Sequence, residues 1–186
     1  MQGIEWQAVA VDSPHEVRTP GKAIVSADIN DQSIRRQLAV RADHWCFGCG
    51  GQNPIGLKLT FFEDGEKVWA NWTPERVHQG YDNVVHGGLI TTVLDEVMGW
   101  AISVRKLWAV TGTINMRFRK PVRVGDVLTA TAWVESISGR KVDVRAPLTR
   151  NCDSVVLAEG SAIFIQISEE QATEWQGRYV ESDSVG

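Results

Sequence analysis

The stretch VVHGGLITTVLDEVMGWA, residues 84–101, decides the fold. At about 100° per residue, Ile90, Val93, Leu94, Val97, Met98, Ala101 and the following Val104 share one broad face. The spacing predicts an amphipathic helix running to about residue 105. Two features sit awkwardly in it. His86-Gly87-Gly88 opens the helix with two of its poorest formers. Asp95 and Glu96 then interrupt the apolar run. Asp95 falls at the edge of the apolar face, beside Thr91 and Ile102. Glu96 falls on the far side with Thr92 and Ser103 and reads as a solvated carboxylate.

Working outward, the pattern changes from period 3.6 to period 2. Leu57, Leu59 and Phe61 alternate with polar positions, EDGE (63–66) turns the chain, and Val68, Ala70 and Trp72 alternate again. After the helix, Ile114, Met116 and Phe118 alternate with Asn115, Arg117 and Arg119. Three strands follow at about 127–137, 140–149 and 154–167, punctuated by SGR and NCDS. The resulting plan is α+β: one long central helix wrapped by an antiparallel sheet of five to six strands. Residues 1–43 read as an N-terminal extension with a short helix over 31–41, where Ile34 and Leu38 lie one turn apart and Asn30 or Asp31 caps. Residues 44–168 form the domain. Residues 169–186 are a polar tail that frays, with Trp175 and Tyr179 one turn apart and able to dock.

The 186 residues suffice for one domain with a sizeable core. A formal charge of -4 offers no nucleic-acid surface. No apolar run approaches the roughly 18 residues of a membrane span. The first residues, MQGIEWQAVAVDSPHEV, lack the basic and apolar regions of a signal peptide. Three cysteines, two of them close together, fit a reducing cytoplasm better than a disulfide scaffold.

His44-x-Cys46-x-x-Cys49 is part of a zinc pattern, but a structural zinc site usually has four ligands. The remaining candidates, Cys152 and His78, lie far along the chain. The expectation is a packed glycine-rich loop with two reduced thiols and no metal.

CFGCGGQNPIGLKL (46–59) followed by HQGYDNVVHGGLITTVLDEVMGWA (78–101) resembles the hotdog-fold acyl-CoA thioesterases of the PaaI-like type. The likeness is strongest to the branch that includes human thioesterase superfamily member four, and it covers residues 44–168. The resemblance implies dimers, or dimers of dimers, with active sites at the dimer interface. It implies acyl-CoA as substrate and no cofactor. Gly87 would offer its backbone N–H to the thioester carbonyl, and Asp95 of the facing subunit would be general base or nucleophile. Thr111 matches a position where relatives carry a serine that helps place the attacking water. Some relatives carry asparagine six residues before the motif histidine, where this chain has Gly80; Gln79 is the adjacent polar candidate. His86 either shapes the loop before the helix or hydrogen-bonds near the substrate, beside Gly88. Arg117 and Arg119 would supply positive charge for the phosphates of coenzyme A.

Elementary physics supports this reading. The first N–H groups of a helix lack intrahelical partners and sit at its positive end. A donor placed there stabilises the oxyanion of thioester hydrolysis, and losing such a donor typically costs ~3–4 kcal/mol of barrier. Glycine keeps the approach clear. Along one helix, residues 87 and 95 are about 12 Å apart by rise alone, too far to serve one reacting carbon. Antiparallel helices of two subunits remove that difficulty. Two other readings share the fold: a non-catalytic module that binds acyl-CoA, and a hydratase or dehydratase, which would need a histidine and a carboxylate converging on the acyl chain.

Overall fold

The computed structural model describes residues 36–181. Residues 1–35 and 182–186 lie outside the described residues, and with them the first half of the short helix expected over 31–41.

The central helix α1 spans Gly87–Ser103. Around it runs one antiparallel sheet of seven strands: β1 (Arg36–Gln37), β2 (Phe61–Glu63), β3 (Val68–Trp72), β6 (Ala109–Phe118), β7 (Leu128–Ser138), β8 (Lys141–Arg150) and β9 (Val155–Gln166), in the order β1-β2-β3-β7-β8-β9-β6. A 3₁₀ turn at Arg76–His78 and a small hairpin of β4 (Gln79–Tyr81) and β5 (Val84–Val85) lead into the helix. α1 packs on β3, β6, β7, β8 and β9. The floor beneath it is built of small residues, Ala130, Ala132, Ala146 and Ala162, which let Leu94, Val97 and Met98 approach the sheet closely.

The seventh strand replaces an expected helix. Residues 36–41 are extended, not helical: Arg36 pairs with Glu63 and Gln37 with Phe62, and Leu38 N–H donates to Phe61 O at 2.9 Å. Leu38 and Val40 alternate with exposed neighbours and pack on the core, so a period of two overrode the one-turn spacing of Ile34 and Leu38.

The polar tail is an ordered helix where fraying was expected, and Trp175 and Tyr179 dock as their one-turn spacing allows. Glu169–Tyr179 form helix α2, capped by Ser168 Oγ, which accepts from Gln171 N–H at 3.3 Å. Trp175 and Tyr179 dock on Trp108, with ring centroids 6.3 and 6.4 Å away. The end of α2 is pinned where Arg41 N–H donates to Tyr179 O at 3.0 Å and Glu181 N–H to Ala39 O at 2.9 Å.

Candidate active site

The opening of α1 uses its glycines and histidine in a defined way. His86 is the N-cap, and its Nδ1 accepts the Gly88 N–H at 2.9 Å. The N–H groups of Leu89 and Ile90 both donate to His86 O, at 3.0 and 3.3 Å. Among the described residues, only the Gly87 N–H of this first turn lacks an acceptor. A Cβ on Gly87 would meet the ring of Phe118 at 3.3 Å, so a side chain here would crowd that ring.

Eight residues on, Asp95 is half-buried at the edge of the core. Its Oδ1 accepts from Thr111 Oγ1 at 2.8 Å, which joins α1 to β6. A register shift between Thr111 and Thr113 accompanies this contact. Burial raises the Asp95 carboxyl above the usual aspartate range, and the Thr111 hydroxyl opposes that rise. Asp95 lines a cavity of about 270 Å³, bounded also by Cys46, Cys49, Trp100, Trp108 and Trp175.

Glu96 is not the solvated residue that helical periodicity implies. It is half-buried beneath the loop at residues 44–50. Cys46 Sγ lies 3.4 and 3.5 Å from its two carboxylate oxygens, and Trp100 Nε1 donates to Oε1 at 3.3 Å. Burial pushes its carboxyl up to about 7, helped by the neighbouring Cys46 sulfur. The side of α1 that carries Glu96 is covered: Trp100, one turn on, is buried along with the expected face. Gly48 makes the close approach possible, because a Cβ there would come within 2.6 Å of Glu96 Cγ. The loop is held to the rest by Leu57 N–H on Phe47 O at 2.8 Å, Leu59 N–H on Gly48 O at 2.9 Å, and Lys58 Nζ donating to Gly50 O at 2.8 Å and Gly51 O at 2.6 Å.

Cys46, Cys49 and Glu96 thus form one cluster, with ligand atoms all within 4.8 Å of one another. The Cys46 thiol is driven toward its thiolate by donation from the Cys49 thiol and from the N–H groups of Cys49 and Gly48. The same contact holds the Cys49 proton on. His44 does not join them. Its Nδ1 accepts from Cys46 N–H at 3.2 Å, its ring packs edge-on against Tyr179, and its buried Nε2 has no partner among the described residues.

Thr111 and Asp95 are therefore brought together within one chain, while Gly87 lies two turns along the helix from them. Gln79 Oε1 accepts from Asn83 N–H at 3.1 Å and closes the β4–β5 hairpin. Met116 packs toward the helix near Gly160, so its neighbour Arg117 lies on the opposite sheet face. Arg117 and Arg119 line a groove there with Trp133, Arg145 and Glu159, and Arg119 pairs with Glu159 at 2.7 Å. Neither arginine borders the Asp95 cavity within the same chain. The thiol–carboxylate cluster is the part of this site that sequence reasoning missed. The signal was present as Cys46-x-x-Cys49, but its third member came from the helix face read as exposed.

The thioesterase superfamily model matches residues 82–156. Acyl-coenzyme A thioesterase THEM4 of Mus musculus is 28% identical over 112 residues, covering 60% of this chain and 48% of that protein. The chain thus spans about half the length of that relative. A crystal structure described as a thioesterase superfamily protein aligns with a TM-score of 0.60 at 25% identity, over 64% of this chain and 59% of that one. The E. coli PaaI protein of the phenylacetic acid degradation operon aligns with a TM-score of 0.56 at 20% identity, over 60% of this chain and 81% of that one. The likeness to PaaI is one of fold. Residues 82–156 are thus similar to the thioesterase superfamily, and the chain has the hotdog fold of these solved structures.

Proposed function

We propose that the protein hydrolyses an acyl-CoA thioester to the free acid and coenzyme A, in sites shared between two copies of the chain. The observation that carries this reading is the pairing of an unpartnered helix-start N–H at Gly87 with a threonine-held carboxylate at Asp95 on the same helix. The substrate class is supported by the curated relative, an acyl-coenzyme A thioesterase.

In this mechanism the Gly87 N–H of one subunit receives the thioester carbonyl oxygen, and charge developing there is stabilised by the helix start. Asp95 of the other subunit acts on the carbonyl carbon, either by taking a proton from water or by attacking directly. Thr111 occupies Oδ1 and leaves Oδ2 for that task. The thiolate of coenzyme A departs, and water supplies the second oxygen of the acid. Trp100 and Trp108, which line the cavity with Asp95, offer an apolar wall for the acyl group. Phe118 lies against Gly87, while Arg117 and Arg119 stand on the other face of β6, from which they would serve the coenzyme A phosphates. His86 and Gly88 hold the helix start in shape, and Gln79 holds the hairpin before it.

A two-copy assembly is supported by β6, a ten-residue strand at the edge of the sheet whose side chains are largely exposed. Long uncovered edges of this kind are normally paired or masked. The three cysteines are unpaired, which fits a reducing compartment such as the cytoplasm. No helix among the described residues is long and apolar enough to cross a membrane. The hydratase reading is weakened because the His86 imidazole is engaged on Gly88 N–H and not on the Asp95 cavity. The deciding experiment is thiol release from short, long and aryl acyl-CoAs. Turnover of at least one class supports the proposal. Tight binding of all without release would favour a binding module.

A further inference from the structure

We propose that Cys46, Cys49 and Glu96 form a binding site for a thiophilic divalent cation, zinc in the first place, with two sulfur ligands and one carboxylate. The sequence alone argues against a metal here, since it offers two neighbouring thiols and no fourth donor. The fold brings in Glu96 from α1, on the helix face turned toward the loop.

The distances suit the ion. A tetrahedral zinc with bonds of about 2.3 Å to sulfur and about 2.0 Å to oxygen holds those two atoms about 3.5 Å apart. Cys46 Sγ stands 3.4 and 3.5 Å from the Glu96 oxygens. All three ligand groups fall within 4.8 Å of one another, which admits the somewhat longer sulfur–sulfur edge of the same tetrahedron.

The loop has the form such a site needs. Gly50 N–H donates to Cys46 O at 2.9 Å and closes the turn between the two cysteines. A Cβ on Gly50 would lie 2.5 Å from Cys46 N, so the tight turn that aims both thiols the same way requires glycine after the second cysteine. Lys58 Nζ, clamped on Gly50 O and Gly51 O, fixes the backbone that follows Cys49. Without a cation, Glu96 is poorly served. Among the described residues its partners are Cys46, Cys49 and Trp100, and no lysine or arginine pairs with it. Carboxylates withdrawn from water are normally paired or coordinate metals.

Three protein ligands leave the fourth tetrahedral position to a water or an exogenous ligand. Cys46, Cys49 and Glu96 all line the cavity that also holds Asp95, so that position opens on the proposed acyl site. Binding releases thiol protons to solvent and ties the loop at 44–50 to α1.

The test uses cobalt(II) on the full chain, reduced and stripped of metal with a chelator. One equivalent should give the near-ultraviolet sulfur-to-cobalt charge-transfer band and intense visible bands of a four-coordinate site, and one equivalent of zinc should bleach them. Cys46→Ser should abolish the charge-transfer band as seen in wild type. Glu96→Gln should keep sulfur ligation but weaken cobalt binding at least about tenfold. Cys152→Ser, which alters an exposed cysteine, should change nothing. Wild-type protein with both thiols titratable and no cobalt spectrum overturns the site. So does a spectrum that survives Cys46→Ser, or one unaffected by Glu96→Gln. The readout is independent of thioester hydrolysis, so loss of one proposal leaves the other standing.

Discussion

Thr111 Oγ1 donates to Asp95 Oδ1 at 2.8 Å, across a gap of 16 residues between β6 and α1. The bond fixes one carboxylate oxygen of a residue that borders the same cavity as Glu96. Glu96, the next residue, turns about 100° away and joins Cys46 and Trp100 instead. Two consecutive acids thus belong to two different chemical groups on one wall.

Asp95→Asn keeps the size of the side chain and can still accept from Thr111, but removes base and nucleophile. Hydrolysis should fall by ~10²–10⁴-fold, the range for a positioned acid–base group. The loss should appear in kcat with substrate affinity retained. The melting temperature should hold or rise, because a half-buried carboxylate is costly to desolvate. Steady-state kinetics with near-normal kcat would remove Asp95 from the mechanism.

Thr111→Val removes only the hydroxyl that orients Asp95. A hydrogen bond to a charged group is worth about 1.5–3 kcal/mol, so kcat should drop about 10–100-fold. Thr111→Ser restores the donor and should recover most of the rate. Equal losses in both variants would point to β-strand packing and not to the hydroxyl.

Mixing two inactive variants tests the shared site. Gly87→Leu fills the space beside Phe118, and Asp95→Asn removes the carboxylate. In refolded mixtures, hybrid dimers regain one intact site if Gly87 and Asp95 act across the interface, giving roughly one quarter of wild-type activity. If both residues acted within one chain, the mixture would stay inactive.

Trp175→Ala removes the ring that meets Trp108 at 6.3 Å and Tyr179 at 6.4 Å. Stability should fall by about 1–3 kcal/mol, less than for a fully buried aromatic because Trp175 is half-buried. Trypsin should then cleave faster at Arg178, seen by mass spectrometry. Unchanged melting and cleavage would mean that α2 does not depend on this cluster.

Much of this molecule was legible from periodicity. The 3.6-residue spacing from Ile90 to Ala101 specified α1, and the alternations at 68–72, 114–118 and beyond 127 specified the strands that wrap it, because a one-sided apolar pattern can be buried in few ways. The His86-Gly87-Gly88 opening and Asp95 at the core edge could also be read locally, since both depend on position along one helix.

Three features needed the tertiary structure. Residues 36–40 became an edge strand because β2 offered an unpaired partner, a contact made 25 residues away that local spacing cannot encode. Residues 169–179 became a docked helix because Trp108 gave Trp175 and Tyr179 a surface to cover. Helical periodicity alone makes Glu96 a solvated residue, because it carries no information about what packs on the helix. The loop bearing Cys46 and Cys49 folds over that second face, with Gly48 against the carboxylate, and a residue fit for water becomes the third member of a thiol cluster. Local periodicity assigns residues to the sides of each element. Only the packing of distant segments decided which of those sides would be covered, and by what chemistry.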